Sequence, residues 1–341
     1  MILIDKNWRS FGEALKEWFE HPEKFTGRPK LPGYKHKEKG RNILIYDIQA
    51  LGKRAYKKTG RIVPSGLSIE IETKVGWESI DCVRIVPRGA TYVVEVVYRK
   101  AEKQADVDPH VVAALDLGVS TLAALTSTKQ GFQPLLINGR PLKDLNHYYN
   151  QQRARHQSRL AQQNRKTSRQ LDRITTKRNR RVNHYLHTAS RRIIDLLVKE
   201  GIGTLVIGKN RYWKQEVEMG KKNNQQFVQI PHTRFIEMLC YKAQLVGIVV
   251  QVREESYTSK ASFLDLDVIP TYDPKRKAKP TFSGKREKRG LFRAKDGRRI
   301  HADVNGSYNI LRKEFPDAFP DSLLGGQGIV GAAVHPRRLA V

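Results

Sequence analysis

Two carboxylates set the chemistry this chain could do. Asp116 closes the first of two apolar runs in Val111 to Leu125, VVAALDLGVSTLAAL, where Asp-Leu-Gly turns tightly into the second. Asp303 sits in HADVNGSYNIL, residues 301 to 311, an acid ahead of a small-residue, helix-like stretch. Acids drawn together from segments this far apart usually hold a divalent cation, because hard carboxylate oxygens suit ions such as Mg²⁺ or Mn²⁺. The reaction that such a pair serves is cleavage of a phosphodiester bond in a nucleic acid.

Those acids need elements that end beside one another. The apolar runs predict strands at 111 to 117, 121 to 126 and 132 to 137, then a long helical stretch from Leu145 to Glu200. A short buried strand, Thr204 to Ile207, a helix from Arg234 to Val246 and a strand from Ile248 to Glu255 follow, and Asp303 opens a last helix. Strands alternating with helices in this way predict an α/β domain. Ahead of it, residues 1 to 20 read as an amphipathic helix that turns Trp8, Phe11, Leu15, Trp18 and Phe19 toward a partner and ends at His21-Pro22. Leu67 to Val75 and Cys82 to Tyr98 alternate apolar and polar residues, predicting a small antiparallel β domain that ends near Asp108. The expected organisation is residues 1–108, an α/β domain at 109–315 and a flexible tail at 316–341.

Charge narrows the partner. Lysine and arginine number 63 against 34 acids, a net charge of +29. Phosphate neutralisation dominates nucleic-acid affinity, so this surplus fits a polyanion. Thirteen of the cations fall between Arg153 and Arg192, opposed there by Asp172 alone, while Val182, Tyr185, Leu186, Ala189, Ile193 and Leu197 keep helical spacing. One face therefore packs and the other is cationic; a merely solvated helix would mix both signs. Arg153, Arg155, Arg159, Arg165, Lys166, Arg169, Arg173, Lys177, Arg178, Arg180 and Arg181 are the expected nucleic-acid contacts. A basic loop within 261–300 adds Lys285, Arg286, Lys288 and Arg289, and the loop from Lys24 to Arg41 interleaves aromatics with cations. Two cysteines, Cys82 and Cys240, can build neither a disulfide framework nor a four-cysteine zinc site. No apolar run approaches the length of a membrane span, and a reducing cytoplasm is the expected compartment.

ALDLGVSTLAAL, the basic helical hairpin, TLVIGKN, EESYTSK and HADVNGSYNIL occur in the order seen in the OrfB/TnpB family of insertion-sequence proteins, which is related to the type V CRISPR effector nucleases. The resemblance spans roughly residues 1 to 315. It implies a transposon-encoded, RNA-guided DNA endonuclease: an RNase H-like (RuvC-like) nuclease domain with a basic helical insertion, preceded by a helical and β-barrel region. Its partners would be DNA and a guide RNA from its own element, with base pairing reading the target.

Three departures from the family bear on the site. The second catalytic acid of the family is usually a glutamate at the end of the fourth strand, where TLVIGKN has Gly208. Glu255 or Glu254, on the neighbouring strand, is then the expected replacement: a Glu-x-Tyr-Thr-Ser pattern favours Glu255, strand alternation favours Glu254. Asp116, Glu255 (or Glu254) and Asp303 would hold two Mg²⁺ or Mn²⁺ ions about 4 Å apart for in-line hydrolysis. Asn305 and Asn309 read as residues holding backbone rather than as ligands, and Lys209 and Asn210 could contact the scissile strand. Secondly, relatives carry paired cysteines and a zinc ribbon after Tyr-Thr-Ser, whereas this chain has KASFLDLD, so no zinc is expected and Asp265 and Asp267 read as turn formers. Thirdly, the chain starts late relative to the family, implying a first domain short at its N-terminus. The alternative is a catalytically inactive RNA- and DNA-binding relative or a decaying transposon remnant, and further off a strand-joining DDE-type transposase.

Overall fold

The computed structural model describes residues 2–34, 42–89, 91–209, 228–273, 280–288, 290–319, 335–339 and 341. The chain divides into two compact units, Met1–Arg99 and Lys100–Val341. Residues 100–107 belong with the second unit because they run alongside it: Lys103 N donates to Leu245 O (2.9 Å) and Ala105 N to Val246 O (3.1 Å).

The first unit begins with helix α1, Ile2–Glu20, whose Trp8 and Phe19 rings are exposed. Strands β1 (Leu44–Asp47), β4 (Ile80–Arg88) and β5 (Thr91–Tyr98) form an antiparallel sheet in the order β1-β4-β5. Helix α2, Lys53–Thr59, ends on Gly60 in the left-handed region, a conformation glycine adopts without Cβ strain. It leads into a two-stranded pair, β2 (Arg61–Ile62) and β3 (Ile71–Glu72). The core is small: Leu51, Ile62, Trp77, Ile80 and Val83, with the Tyr56 hydroxyl donating to Val75 O at 2.6 Å. Among the described residues this is an open sheet, not a closed barrel.

The second unit is built on a six-stranded mixed sheet. Strands β6 (Asp108–Leu117), β7 (Thr121–Ser127) and β8 (Leu135–Asn138) form an antiparallel meander. On the other side of β6, β9 (Ile202–Gly208) runs parallel to it and β10 (Val249–Arg253) parallel to β9. Helices α3 (Arg140–Gln162) and α4 (Arg169–Lys199) cross from β8 to β9, and α5 (His232–Gln244) precedes β10. The stretch read as continuous from 145 to 200 is thus a hairpin: Asn164 takes a positive φ of 52° and Ser168 caps α4, its hydroxyl accepting from Leu171 N. Helix α6, Ala302–Glu314, covers the opposite face of the sheet.

Strand alternation sorts the two layers. Ala113, Leu115 and Leu117 of β6, with Leu205 and Ile207 of β9, pack under α4 and α5. Val112, Ala114 and Val206 turn to the other face, beneath Val304, Tyr308, Ile310 and Leu311 of α6. Two expectations fail here. The interval 261–300, read as a basic loop, contains most of a three-stranded antiparallel sheet, β11 (Lys285–Lys288), β12 (Leu291–Arg293) and β13 (Arg299–His301), because Phe292 and Ile300 supply enough apolar surface to seat it. The segment after 315, expected to be a flexible tail, buries Phe319 against Phe263 and Tyr308, and its strand β14 (Arg337–Leu339) pairs in parallel with β8.

Candidate active site

The acids gather where three parallel strands end. Asp116 shares the sheet face of Val112 and Ala114, two residues apart along β6, and so points at α6. The last β6–β9 partners are Leu115 and Ile207, so Gly208 lies one step further, level with Asp116. Gly208 pairs in turn with Arg253, the last residue of β10, two before Glu255. A Cβ built at Gly208 would overlap the Glu255 carboxylate and Ile310 Cδ1 of α6, so the space a side chain would fill at the end of β9 is taken by a carboxylate from the next segment and by the Ile310 methyl. On the far side, a Cβ at Gly306 would stand 2.6 Å from Asp116 Oδ2. That glycine, inside a helix where it costs about 1 kcal/mol relative to alanine, lets α6 close onto the acid. Asp303 lies in the first turn of α6.

Electrostatics ties the three together. Burial, then the charges of Glu255 and Asp303, push the Asp116 carboxyl well above its ordinary range, against a smaller opposing pull from Arg286. Glu255 is pushed up to about 7 by burial and by the Glu254 charge, with Lys313 opposing. Arg286 reaches Asp303 at 3.5 Å, a half-exposed pair. A buried carboxyl such as Asp116, whose charge is disfavoured by burial and by neighbouring acids, would be relieved by a hard divalent cation, and the donor chemistry fits one. No ready cage exists: among the described residues no three His, Cys, Asp or Glu side chains stand close enough together to hold an ion as they are.

Glu254 and Glu255 go different ways. Strand alternation does not reach them, because β10 ends at Arg253. Glu254 pairs with Lys313 of α6 and accepts from Ser256 N (2.8 Å), which lowers its pKa against the effect of burial. It is committed elsewhere, whereas Glu255 faces Gly208. The segment that carries Glu255 is pinned to α6 by two buried amides. Asn305 accepts from Phe263 N (2.9 Å) and donates to Ala261 O (2.8 Å), and Asn309 donates to Thr258 O (2.9 Å) and Ala261 O (2.7 Å). Asp265 and Asp267 likewise accept from backbone and serine: Asp267 from Ser262 N (2.7 Å) and Ser283 Oγ (2.6 Å), Asp265 from Lys295 N (2.9 Å). Two residues that shape the site went unseen in the sequence. Nothing there singles out Lys313, whereas Gly306 carries a signal, a glycine in the middle of a helical stretch.

The expected nucleic-acid residues divide as well. Arg153, Arg155, Arg159, Arg165, Lys166, Arg169, Arg173, Lys177, Arg180 and Arg181 are exposed, and among the described residues no carboxylate forms an ion pair with any of them. Arg178 is the exception. It is half-buried, its guanidinium donating to Asn146 Oδ1 (2.6 and 2.8 Å) and Gln229 O (2.8 Å) over the Tyr149 ring, so it holds the hairpin together. Lys285 and Lys288 are exposed on β11, where Glu287 is held by Arg293 and Arg299. Arg289, Asn210 and residues 35–41 and 274–279 of the two basic loops lie outside the described residues. Among the described residues no helix is long and apolar enough to cross a membrane.

Residues 93–214 match the family model OrfB_IS605, a probable transposase, and residues 232–310 match the Cas12f1-like TNB domain. A viral protein, the TnpB-like protein ORF457 of Acidianus two-tailed virus, is 26% identical over 282 residues, covering 78% of this chain and 56% of its own length. The structure aligns with that of a Cas12f1–sgRNA–target DNA complex at a TM-score of 0.46 and 15% identity, over 79% of this chain and 51% of the other. A CRISPR–Cas12f ternary complex aligns at 0.38 and 16%, over 68% and 45%. The chain spans about half the length of these relatives. Two family models met in chain order and a relative spanning most of the chain agree with the motifs, and together they support similarity to the TnpB family.

Proposed function

We propose that this protein is an RNA-guided DNA endonuclease whose residues 109–315 form a RuvC-like, RNase H-type nuclease domain, with residues 1–108 as a nucleic-acid-binding region. The observation that carries the reading is that Asp116, near the end of β6, lies within electrostatic reach of both Glu255, just after β10, and Asp303, in the first turn of α6, with Gly208 leaving room for Glu255. The strand order β10-β9-β6-β7-β8, with an antiparallel meander beside two parallel strands, supports the fold assignment. The +29 charge and similarity to a family whose resemblance implies a guide RNA and a DNA target support the partners.

Asp116, Glu255 and Asp303 would hold two Mg²⁺ or Mn²⁺ ions; when bound, these supply water activation and stabilisation of the leaving 3′ oxygen. The chain's own part is positional. Asn305 and Asn309 fix the backbone behind Glu255, Gly306 brings the α6 backbone against Asp116, and Arg286 shares the charge of Asp303 until a cation takes it over.

The test is cleavage of labelled DNA, in Mg²⁺ or Mn²⁺, by protein copurified with RNA from its own locus. Asp116→Ala, Glu255→Ala and Asp303→Ala should each abolish cutting, and Glu254→Ala should leave the rate within about threefold, the loss expected of an outlying ion pair. RNA bound without cutting in either metal would replace this reading with the binding-only one, and joined rather than cut strands would indicate a transposase.

A further inference from the structure

A groove of about 620 Å³ lies between α3 and α4, on the helical hairpin, and none of the three acids lines it. Its two walls differ in kind. From α3 come Tyr148, Gln152 and His156, each four residues after the last; from α4 come Arg173, Lys177 and Arg181, again four apart. A four-residue step keeps side chains on one helix face and advances about 6 Å along the axis, close to the phosphate spacing of an extended single strand. Tyr148 is 61% exposed. No carboxylate lines the groove, and Arg173, Lys177 and Arg181 form no ion pair among the described residues. The floor is built: Tyr149 Oη lies 3.1 Å from Thr175 Oγ1, and Arg178 stacks over the Tyr149 ring while bonding Asn146.

We propose that this groove binds a single-stranded segment of RNA, its bases stacking on the α3 wall at Tyr148 and His156 and its phosphates following Arg173, Lys177 and Arg181. The inference rests on the nucleic-acid reading above and adds to it a site, a strandedness and the α3 residues. A duplex keeps its bases stacked inside and would use the cations alone, leaving an exposed ring, an imidazole and an amide at matched spacing without purpose. Unstacked bases offer a π-face to Tyr148 and polar edges to Gln152 and His156. RNA is favoured over DNA because Gln152 and Gln170, which line the same groove, can both donate to and accept from a ribose 2′-hydroxyl.

The experiment is equilibrium binding of a short labelled oligouridylate to the full-length chain, purified free of nucleic acid and held in EDTA, over a series of salt concentrations. Tyr148→Ala should weaken binding about tenfold without changing the salt slope, and Tyr148→Phe should restore it, because stacking needs the ring and not the hydroxyl. The triple variant Arg173→Gln, Lys177→Gln, Arg181→Gln should reduce the slope of log K against log salt by about two, at roughly 0.7 per lost phosphate contact on a single strand. The same RNA annealed into a duplex should be insensitive to Tyr148→Ala. An unchanged affinity in Tyr148→Ala, with an unchanged melting temperature, overturns the proposal, and so does oligothymidylate binding that oligouridylate fails to displace, which would assign the groove to DNA. Binding in EDTA needs no catalysis, so Asp116→Ala, expected to stop cutting, should bind this RNA as the parent does. The two readings therefore fail separately.

Discussion

A side chain at position 208 would collide with Glu255 and with the far end of Ile310, a flexible side chain that can shift, so glycine at the end of β9 and glutamate after β10 act as two halves of one arrangement. Gly208→Ala should therefore displace the Glu255 carboxylate and cost as much activity as removing it, while Gly208→Glu combined with Glu255→Gly should recover part of what either change alone loses. Cleavage rates of Gly208→Ala, of the two single changes and of the double check this; a Gly208→Ala protein as active as the parent would show that the carboxylate has other room. Titration of the same group gives a second handle. Glu255 ordinarily titrates near 4.5 and is pushed up to about 7 by burial first and the Glu254 charge second. Its protonated form is favoured in the folded state, so the stability it contributes is present below about pH 4.5 and is lost as pH rises through about 7. Asp116, raised by burial and by its acidic neighbours, acts in the same direction. In EDTA, Glu255→Gln should gain stability on the parent protein between those pH values, by up to about 3 kcal/mol. Mg²⁺ should raise the parent's melting temperature chiefly at the upper end of that window. Thermal unfolding across pH measures both, and parallel curves for the two proteins would mean that Glu255 is not strained when ionised.

Between the residue and the molecule stand the elements that aim these groups, and here a cation that packs can be told from one that waits for a ligand. Arg178 and Arg180 are neighbours in one basic run, yet Arg178 bonds Asn146 and Gln229 while Arg180 is exposed. Arg178→Gln should cost about 2 kcal/mol in urea unfolding, since it leaves a buried amide oxygen and a carbonyl without their donor, and Arg180→Gln should be neutral to within about 0.5 kcal/mol. Equal effects would mean that the Asn146 network is not holding α3 to α4. The same contrast explains what was legible in the sequence. The apolar runs around Asp116 and Thr204 announced buried strands, and alternation along β6 decided which way Asp116 faces. Alternation failed at Glu254 and Glu255 because the strand had already ended at Arg253, and only the Glu-x-Tyr-Thr-Ser resemblance favoured Glu255. Strands β11 and β14 were illegible for a different reason. Lys-Arg-Glu-Lys and Arg-Arg-Leu carry too little apolar surface to announce a strand, and both are edge strands, β14 held by β8, far earlier in the sequence, and β11 by its hairpin neighbour β12. No pattern within 140–181 distinguishes Arg178 from the cations around it, because what sets it apart is Asn146, a helix away.

At the scale of the whole chain the two units are unequal in what holds them. The second encloses its sheet on both faces with apolar side chains, from Ala113 to Ile248 on one and from Val112 to Phe319 on the other. The first clusters five buried apolar residues, Trp77 among them, and leaves Leu44, Ile45, Tyr92, Val93 and Val94 of its sheet more than a third exposed. Apolar burial is the main favourable term in folding, at about 25 cal/mol per Å², so the first unit has much the smaller reserve against the entropy of its own chain. The tryptophans make this measurable. Trp8, Trp18 and Trp77 lie in the first unit and Trp213 in the second, whereas most of the described helical residues, those of α3 to α6, belong to the second, with α1 and α2 in the first. In a urea titration, tryptophan emission should change at a lower midpoint than the helical circular dichroism, with the sheet of Lys100–Val341 retained while Met1–Arg99 opens. Coincident curves would mean that the two units unfold as one and that the first draws stability from beyond its own core. Added RNA offers the complementary reading: a ligand confined to the α3–α4 groove stabilises the second transition by mass action and leaves the first where it was, whereas one that also engages the first unit moves both.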